Sequence, residues 1–184
     1  MQRSRPEQDH TSGHLDSYLK SVTFDPIGRV RSPYKERFGT PRQPVIEAQV
    51  KGDGALEGSI ELIPGKNFES ALEGLEGFDR IWVLYVLHLN DGFSPQVRPP
   101  RGPEKKVGLF ATRAPHRPSP IGLSCLDLLR IEKSTLYVRG LDILDGSPVL
   151  DIKPYIPYID SFPDAQVGWL TGLPPEEPDN FTPK

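Results

Sequence analysis

The 184-residue sequence predicts a mainly β domain, a small closed or nearly closed antiparallel β-barrel with one short helix and long proline-rich loops. Three observations predict it. Apolar and polar residues alternate with period two in several short stretches, a single segment has helical spacing, and seven prolines crowd one connection between residues 95 and 120. Many short strands around one helix favour closure, which leaves no edge to protect.

The elements follow in order. Ile46, Ala48 and Val50 alternate with Glu47 and Gln49, and Ile60 and Leu62 alternate with Ser59 and Glu61, as half-buried antiparallel strands do. Phe68, Ala71, Leu72 and Leu75 fall at i, i+3, i+4 and i+7, with Asn67 placed to cap and Gly77 to terminate, so a helix is expected there. The run Ile81 to Leu87 is continuously apolar and reads as the central strand, covered on both faces. Apolar positions 136, 138, 141 and 143 change phase at Gly140, which predicts a bulge. Asp145-Gly146 then marks a hairpin or tight turn before an extended segment at Val149 to Ile152. Proline restricts the unfolded chain, so the loop from 95 to 120 loses little entropy on adopting one shape, as suits a binding surface.

Residues 1–20 lack hydrophobic periodicity and read as a disordered or loosely docked arm, residues 21–170 as the folded unit, and 171–184 as an acidic proline-rich tail. No apolar stretch is long enough to span a membrane, and neither a signal core nor a membrane partner is expected. Cys125 is the only cysteine, so no internal disulfide forms and a cytoplasmic setting is the default.

The net charge of −3 does not announce a nucleic-acid binder, but its distribution is uneven. Arg98, Arg101, Lys105, Lys106, Arg113 and Arg117 stand against one acid, Glu104, and Arg29, Arg31, Lys35, Arg37 and Arg42 against Glu36. Two basic segments in an acidic chain suit either a face that meets phosphate or simply solvated loops. Familiar cofactor boxes are missing: Gly52, Gly54 and Gly58 do not make a dinucleotide fingerprint, and no P-loop is present. His10 and His14 lack a third ligand, so no metal site is expected. Cys125 can be drawn with His116 as a nucleophile and base, but it lies in an apolar run and reads better as a small core residue. Trp82 and Phe110, in apolar runs too, read as core side chains that could alternatively stack on a base.

The strings Arg31-Ser32-Pro33-Tyr34, Gly39-Thr40-Pro41-Arg42-Gln43, Trp82 to Asn90, Arg98-Pro99-Pro100-Arg101, Phe110 to Ser124, Leu144 to Tyr155 and Tyr158-Ile159-Asp160 occur in this order. Together they resemble the TsaA-like, or TrmO, family of tRNA methyltransferases over residues 27–160. The resemblance implies a small barrel that binds S-adenosylmethionine without a Rossmann sheet and acts as a homodimer. It also implies methyl transfer to N6 of adenosine 37 of tRNA when that base carries the threonylcarbamoyl group. By motif, the cofactor-binding positions would be Pro41, Arg42, Gln43, His88, Leu89, Arg113, Leu123 and the turn Leu144, Asp145, Gly146, Ser147 and Pro148. Leu89, Ala114, Ser119 and Ser147 depart from residues common in the family.

For that reaction a base near the ureido N6–H would help, and Asp145, Asp151, His116 and Tyr155 are the candidates. Arg98, Arg101 and Arg117 could each offer a guanidinium fork to the threonine carboxylate. Lys105 and Lys106 suit phosphate contacts on the RNA. Two other functions fit the same residues: a non-catalytic RNA-binding barrel, and an S-adenosylmethionine-dependent methyltransferase acting on a small molecule.

Overall fold

The computed structural model describes residues 21–36, 40, 57–100 and 104–173. Its strands are β1 (Gly28–Arg31), β2 (Glu57–Leu62), β3 (Arg80–Val86), β4 (Gln96–Val97), β5 (Val107–Gly108), β6 (Ile121–Glu132), β7 (Thr135–Arg139) and β8 (Pro148–Pro154). Six of them close an antiparallel barrel in the order β1-β2-β7-β6-β3-β8, and β4 and β5 form a separate two-stranded ribbon. Closure is made by the pairing of Gly28 with Val149 and of Arg29 with Pro148. The predicted fold class is therefore the observed one.

Alternation decides which side chains fill the barrel. Val30, Ile60, Ile81, Val83, Leu126, Leu136, Val138 and Val149 point inward and are fully buried, each worth roughly 1.5–3 kcal/mol relative to exposure. Their intervening neighbours face outward, as the pleat requires. Leu141 and Ile143, from the connection after β7, join the same core.

Several expectations need correction. The strand Ile81 to Leu87 is not covered on both faces: Ile81, Val83 and Tyr85 are buried, while Trp82 and Leu84 lie half-buried on the outer wall. There Trp82 meets Tyr155 edge to face at 5.6 Å. Cys125, paired with Trp82 across β3 and β6, is likewise on the outer wall and half-buried, not in the core. Phe110 is 80% exposed, because its run forms a 3-10 turn over Leu109–Ala111 and only Leu109 turns inward.

The helix is shorter than its apolar spacing suggests. It covers Phe68–Ala71 (α1) and gives way to a 3-10 turn at Leu75–Gly77, because Gly74 takes φ +84° and breaks the helical path. Asn67 makes no side-chain cap and sits in the left-handed region itself. Gly140, at φ +79°, ends β7 instead of bulging it. The register shifts occur elsewhere, at Leu84/Tyr85 and Leu128/Arg130. Asp145-Gly146 is a tight turn and not a hairpin, since β7 and β8 are not neighbours. The strand expected at 46–50 lies outside the described residues.

Beyond β8 the chain makes one helical turn at Pro157–Asp160 (α2) and a 3-10 turn at Gly168–Leu170. Trp169 Nε1 donates to the Ala111 carbonyl at 2.8 Å, which ties this segment to the turn carrying Phe110.

Gly122 tests the interior packing. A methyl group added there would run into the Tyr85 ring. Gly122→Ala is expected to lower stability by about 1–3 kcal/mol, the usual cost of overpacking, read as a lower urea midpoint.

Candidate functional site

Antiparallel order gathers one set of strand ends on one rim. The C-terminal ends of β1, β3 and β7 and the N-terminal ends of β2, β6 and β8 lie together, as the pairs Arg31–Ser59, Glu57–Arg139, Val86–Ile121 and Arg29–Pro148 show. The connections that follow β1, β3 and β7 therefore leave from this rim. Those at 63–79 and 133–134 belong to the other.

The motif residues converge on the first rim. Leu87 N–H donates to the Pro120 carbonyl at 2.8 Å, which draws the 87–90 turn to the start of β6. His88 Nδ1 lies 3.2 Å from Ser147 Oγ and joins that turn to the start of β8. The 144–147 turn is in turn stitched to the end of β1. Asp145 N–H donates to the Tyr34 carbonyl at 2.8 Å and Gly146 N–H to the Val30 carbonyl at 2.9 Å. Leu123 is 57% exposed on the outer wall of β6 and Leu89 is 44% exposed in its turn. Arg113 is exposed in the connection entering β6. Pro41, Arg42 and Gln43 lie outside the described residues.

The basic side chains form a second group on the same rim. Arg98 follows β4 while Lys105 and Lys106 precede β5, and all three are exposed. Arg101 lies outside the described residues. Arg117 Nη1 donates to the carbonyls of Thr112 and Ala114 at 3.0 and 3.3 Å. Its guanidinium stands 5.6 Å from the centre of the Phe110 ring, which leaves an exposed aromatic face backed by a cation.

The four proposed bases fall in different places. Asp145 accepts from Ser32 N–H at 3.0 Å and pairs with Lys35 Nζ at 2.6 Å. Burial opposes its ionisation, but Lys35 and the Ser32 N–H outweigh it and hold the carboxyl below its ordinary value. Such a group clamps the turn and accepts protons poorly near neutrality. Asp151 pairs with Lys153 at 2.6 Å on the outer wall and accepts from Ile152 N–H. Tyr155 follows the end of β8 and donates through its N–H to the carbonyl of Arg80 at the start of β3, at the opposite rim. His116 is half-buried in the 109–120 connection on the first rim.

The sequence pattern did not single out a fifth candidate, Asp142. Its Oδ1 accepts from Ser124 Oγ at 2.6 Å, and Ser124 Oγ lies 3.4 Å from the Tyr85 hydroxyl. Burial pushes its carboxyl up to about 7, against the lowering pull of Ser124 and of the Arg113 charge. Burial also raises the Tyr85 phenol, with the Asp142 charge adding to it. The available signal was an acid between two apolar residues, Leu141 and Ile143, just after the phase change at Gly140.

Comparison with known proteins fixes the family. The profile of the tRNA-methyltransferase O N-terminal domain matches residues 29–161. The chain belongs to the tRNA-methyltransferase O family. It is 40% identical over 166 residues to the tRNA (adenine(37)-N6)-methyltransferase of Escherichia coli K12, covering 86% of this chain and 68% of that protein. It is 47% identical to a probable S-adenosyl-L-methionine-binding protein of Methanothermobacter thermautotrophicus, covering 76% of this chain and 94% of the relative. The crystal structure of TrmO from Pseudomonas aeruginosa superposes with a TM-score of 0.64 at 39% identity, over 80% of this chain and 62% of that one. The chain thus spans about two thirds of these bacterial TrmO proteins and nearly all of the archaeal relative.

For a methyl sulfonium nucleoside, Leu89 and Leu123 would offer apolar surface and the 144–148 turn would offer backbone groups. Among the described residues there is no metal-binding cluster and no helix long and apolar enough to cross a membrane.

The raised Asp142 value has a consequence for stability. Between the ordinary 3.8 and about 7 the folded protein holds a proton that the unfolded chain has released. Stability therefore falls as pH rises through this window and the full penalty is present above it. Asp142→Asn is expected to be the more stable protein at pH 8, by a few kcal/mol, with the advantage gone below pH 4 in urea titrations.

Proposed function

We propose that this chain transfers a methyl group from S-adenosylmethionine to N6 of adenosine 37 in tRNA, with threonylcarbamoyladenosine as the acceptor, and that it works as a homodimer. The joining of His88 to the 144–148 turn on one rim of a TrmO-family barrel carries this reading. The E. coli relative, named for adenine-37 N6 methylation of tRNA, supports methylation at that base, and the relative from Methanothermobacter thermautotrophicus, named for S-adenosylmethionine binding, supports the donor. A tRNA substrate implies a cytoplasmic setting.

The bound donor supplies an electrophilic methyl carbon. Leu89 and Leu123 would hold its apolar parts, and the clamped turn from Leu144 to Pro148, with Pro41, Arg42 and Gln43, would hold its polar ends. Because Lys35, Ser32 and Val30 fix that turn, it needs little reorganisation to bind. Holding acceptor and donor in line is the larger part of the catalysis. Phe110, open on one side and backed by Arg117, suits stacking on an anticodon-loop base, and Arg98, Lys105 and Lys106 suit the neighbouring phosphates. Arg98, Arg101 and Arg117 remain the guanidinium forks for the threonine carboxylate. Ile121, Tyr158 and Phe162 leave apolar surface exposed, which supports burial against a second copy.

Nucleoside mass spectrometry of bulk tRNA incubated with the protein and S-adenosylmethionine tests the reading. A gain of one methylene on threonylcarbamoyladenosine is expected, and none on tRNA from cells unable to make that base. Methylation of unmodified adenosine would overturn the acceptor, and no methylation of any tRNA would overturn the function. Phe110→Ala should weaken tRNA binding by about 1–3 kcal/mol if the ring stacks on a base. Lys105→Ala with Lys106→Ala should lower the salt dependence of binding, by about one unit of log-log slope for each phosphate no longer neutralised.

A further inference from the structure

Tyr85, Ser124 and Asp142 arrive from β3, β6 and the 140–147 connection, and their polar atoms meet. Apart from Tyr34, the rest of the buried core is aliphatic, and its packing alone calls for no carboxylate: an apolar side chain there would avoid the cost of desolvating a charge. The cluster is also ordered in one direction. Ser124 has a single hydroxyl proton, and at 2.6 Å it goes to Asp142 Oδ1. The Tyr85 hydroxyl lies 3.4 Å from Ser124 Oγ. Asp142 is the acceptor of the short bond in this cluster.

Asp142 stands two residues before the 144–148 turn, and the Arg113 charge acts on its carboxyl. Among the described residues, Arg113 and Tyr85 are the titratable or charged groups that face it. Asp142 is half-buried beside the fully buried Ser124.

We propose that Asp142 takes the proton that the acceptor nitrogen releases as it is methylated, with Ser124 and Tyr85 as the residues that position it. The proposal rests on the adenine-N6 reading above. The N6–H bond breaks and its proton passes to the Asp142 carboxylate. The electron pair on nitrogen forms the new N–CH3 bond, while the sulfur of the methyl sulfonium keeps the pair of the S–CH3 bond and becomes a neutral thioether. Asp142 then returns the proton to water. A carboxyl that titrates near neutrality is matched to this task, whereas the Lys35-bound Asp145 is not.

Three measurements on the full chain test it: single-turnover methylation of tRNA against pH, S-adenosylmethionine affinity by calorimetry, and the Asp142 carboxyl titration by carbon NMR without cofactor. In the wild type the rate should climb with pH through the titration of that carboxyl. Asp142→Asn should lose at least about 100-fold in rate and lose the pH inflection, while cofactor affinity stays within about threefold. Ser124→Ala should move the carboxyl titration and the rate inflection upward together, and it decides the matter if Asp142→Asn does not fold. The proposal is overturned if Asp142→Asn keeps the wild-type rate or inflection, if its cofactor affinity falls as far as its rate, or if Ser124→Ala moves the titration and leaves the inflection in place. A wild-type chain that methylates no tRNA overturns the reaction reading, and the proton acceptor with it. An active wild type with an equally active Asp142→Asn overturns the proton acceptor alone.

Discussion

Closure of the barrel between β1 and β8 is the constraint on which the rest of the site depends. Without the pairing of Gly28 with Val149, the 144–148 turn would have no partner strand beside it. With it, Ser32, Tyr34 and Lys35 at the end of β1 reach Asp145 by a backbone bond, a side-chain bond and an ion pair. Half-exposed ion pairs alone contribute little. The three contacts act together on a turn whose Gly146 already takes φ +75°, so the turn is held from both sides.

A closed sheet with no free edge has two kinds of surface left for function, its outer wall and its rims. Here the chemistry-bearing motifs collect on one rim, and the other is closed by the short β6–β7 connection and the α1 segment. The β4–β5 ribbon and Phe110 belong to a connection that leaves from the same rim. The polar cluster of Tyr85, Ser124 and Asp142 sets a carboxylate against a largely apolar core.

Period-two alternation made the barrel class legible, because inward and outward positions of β2, β3 and β7 differ in residue type. The site was legible as a set of strings, since Phe110 to Ser124 and Leu144 to Pro148 are local in sequence. What the sequence hid is what depends on distant partners. Asp142 drew no notice in the sequence, because its partner Ser124 lies 18 residues away on β6. Asp145 and Asp142 look alike in sequence, yet Lys35 and Ser32 lower one while burial raises the other. Phe110 looked like core because its neighbours are apolar, but the 3-10 turn at Leu109–Ala111 sends just one of the three inward.

Amide hydrogen exchange with and without S-adenosylmethionine tests the central claim, that one rim of this barrel holds the cofactor. Slowed exchange is expected at residues 87–90, 113–124 and 142–148, with the connections at 63–79 and 133–134 unchanged. Protection confined to the opposite rim, or cofactor binding that slows none of the three segments, would contradict it.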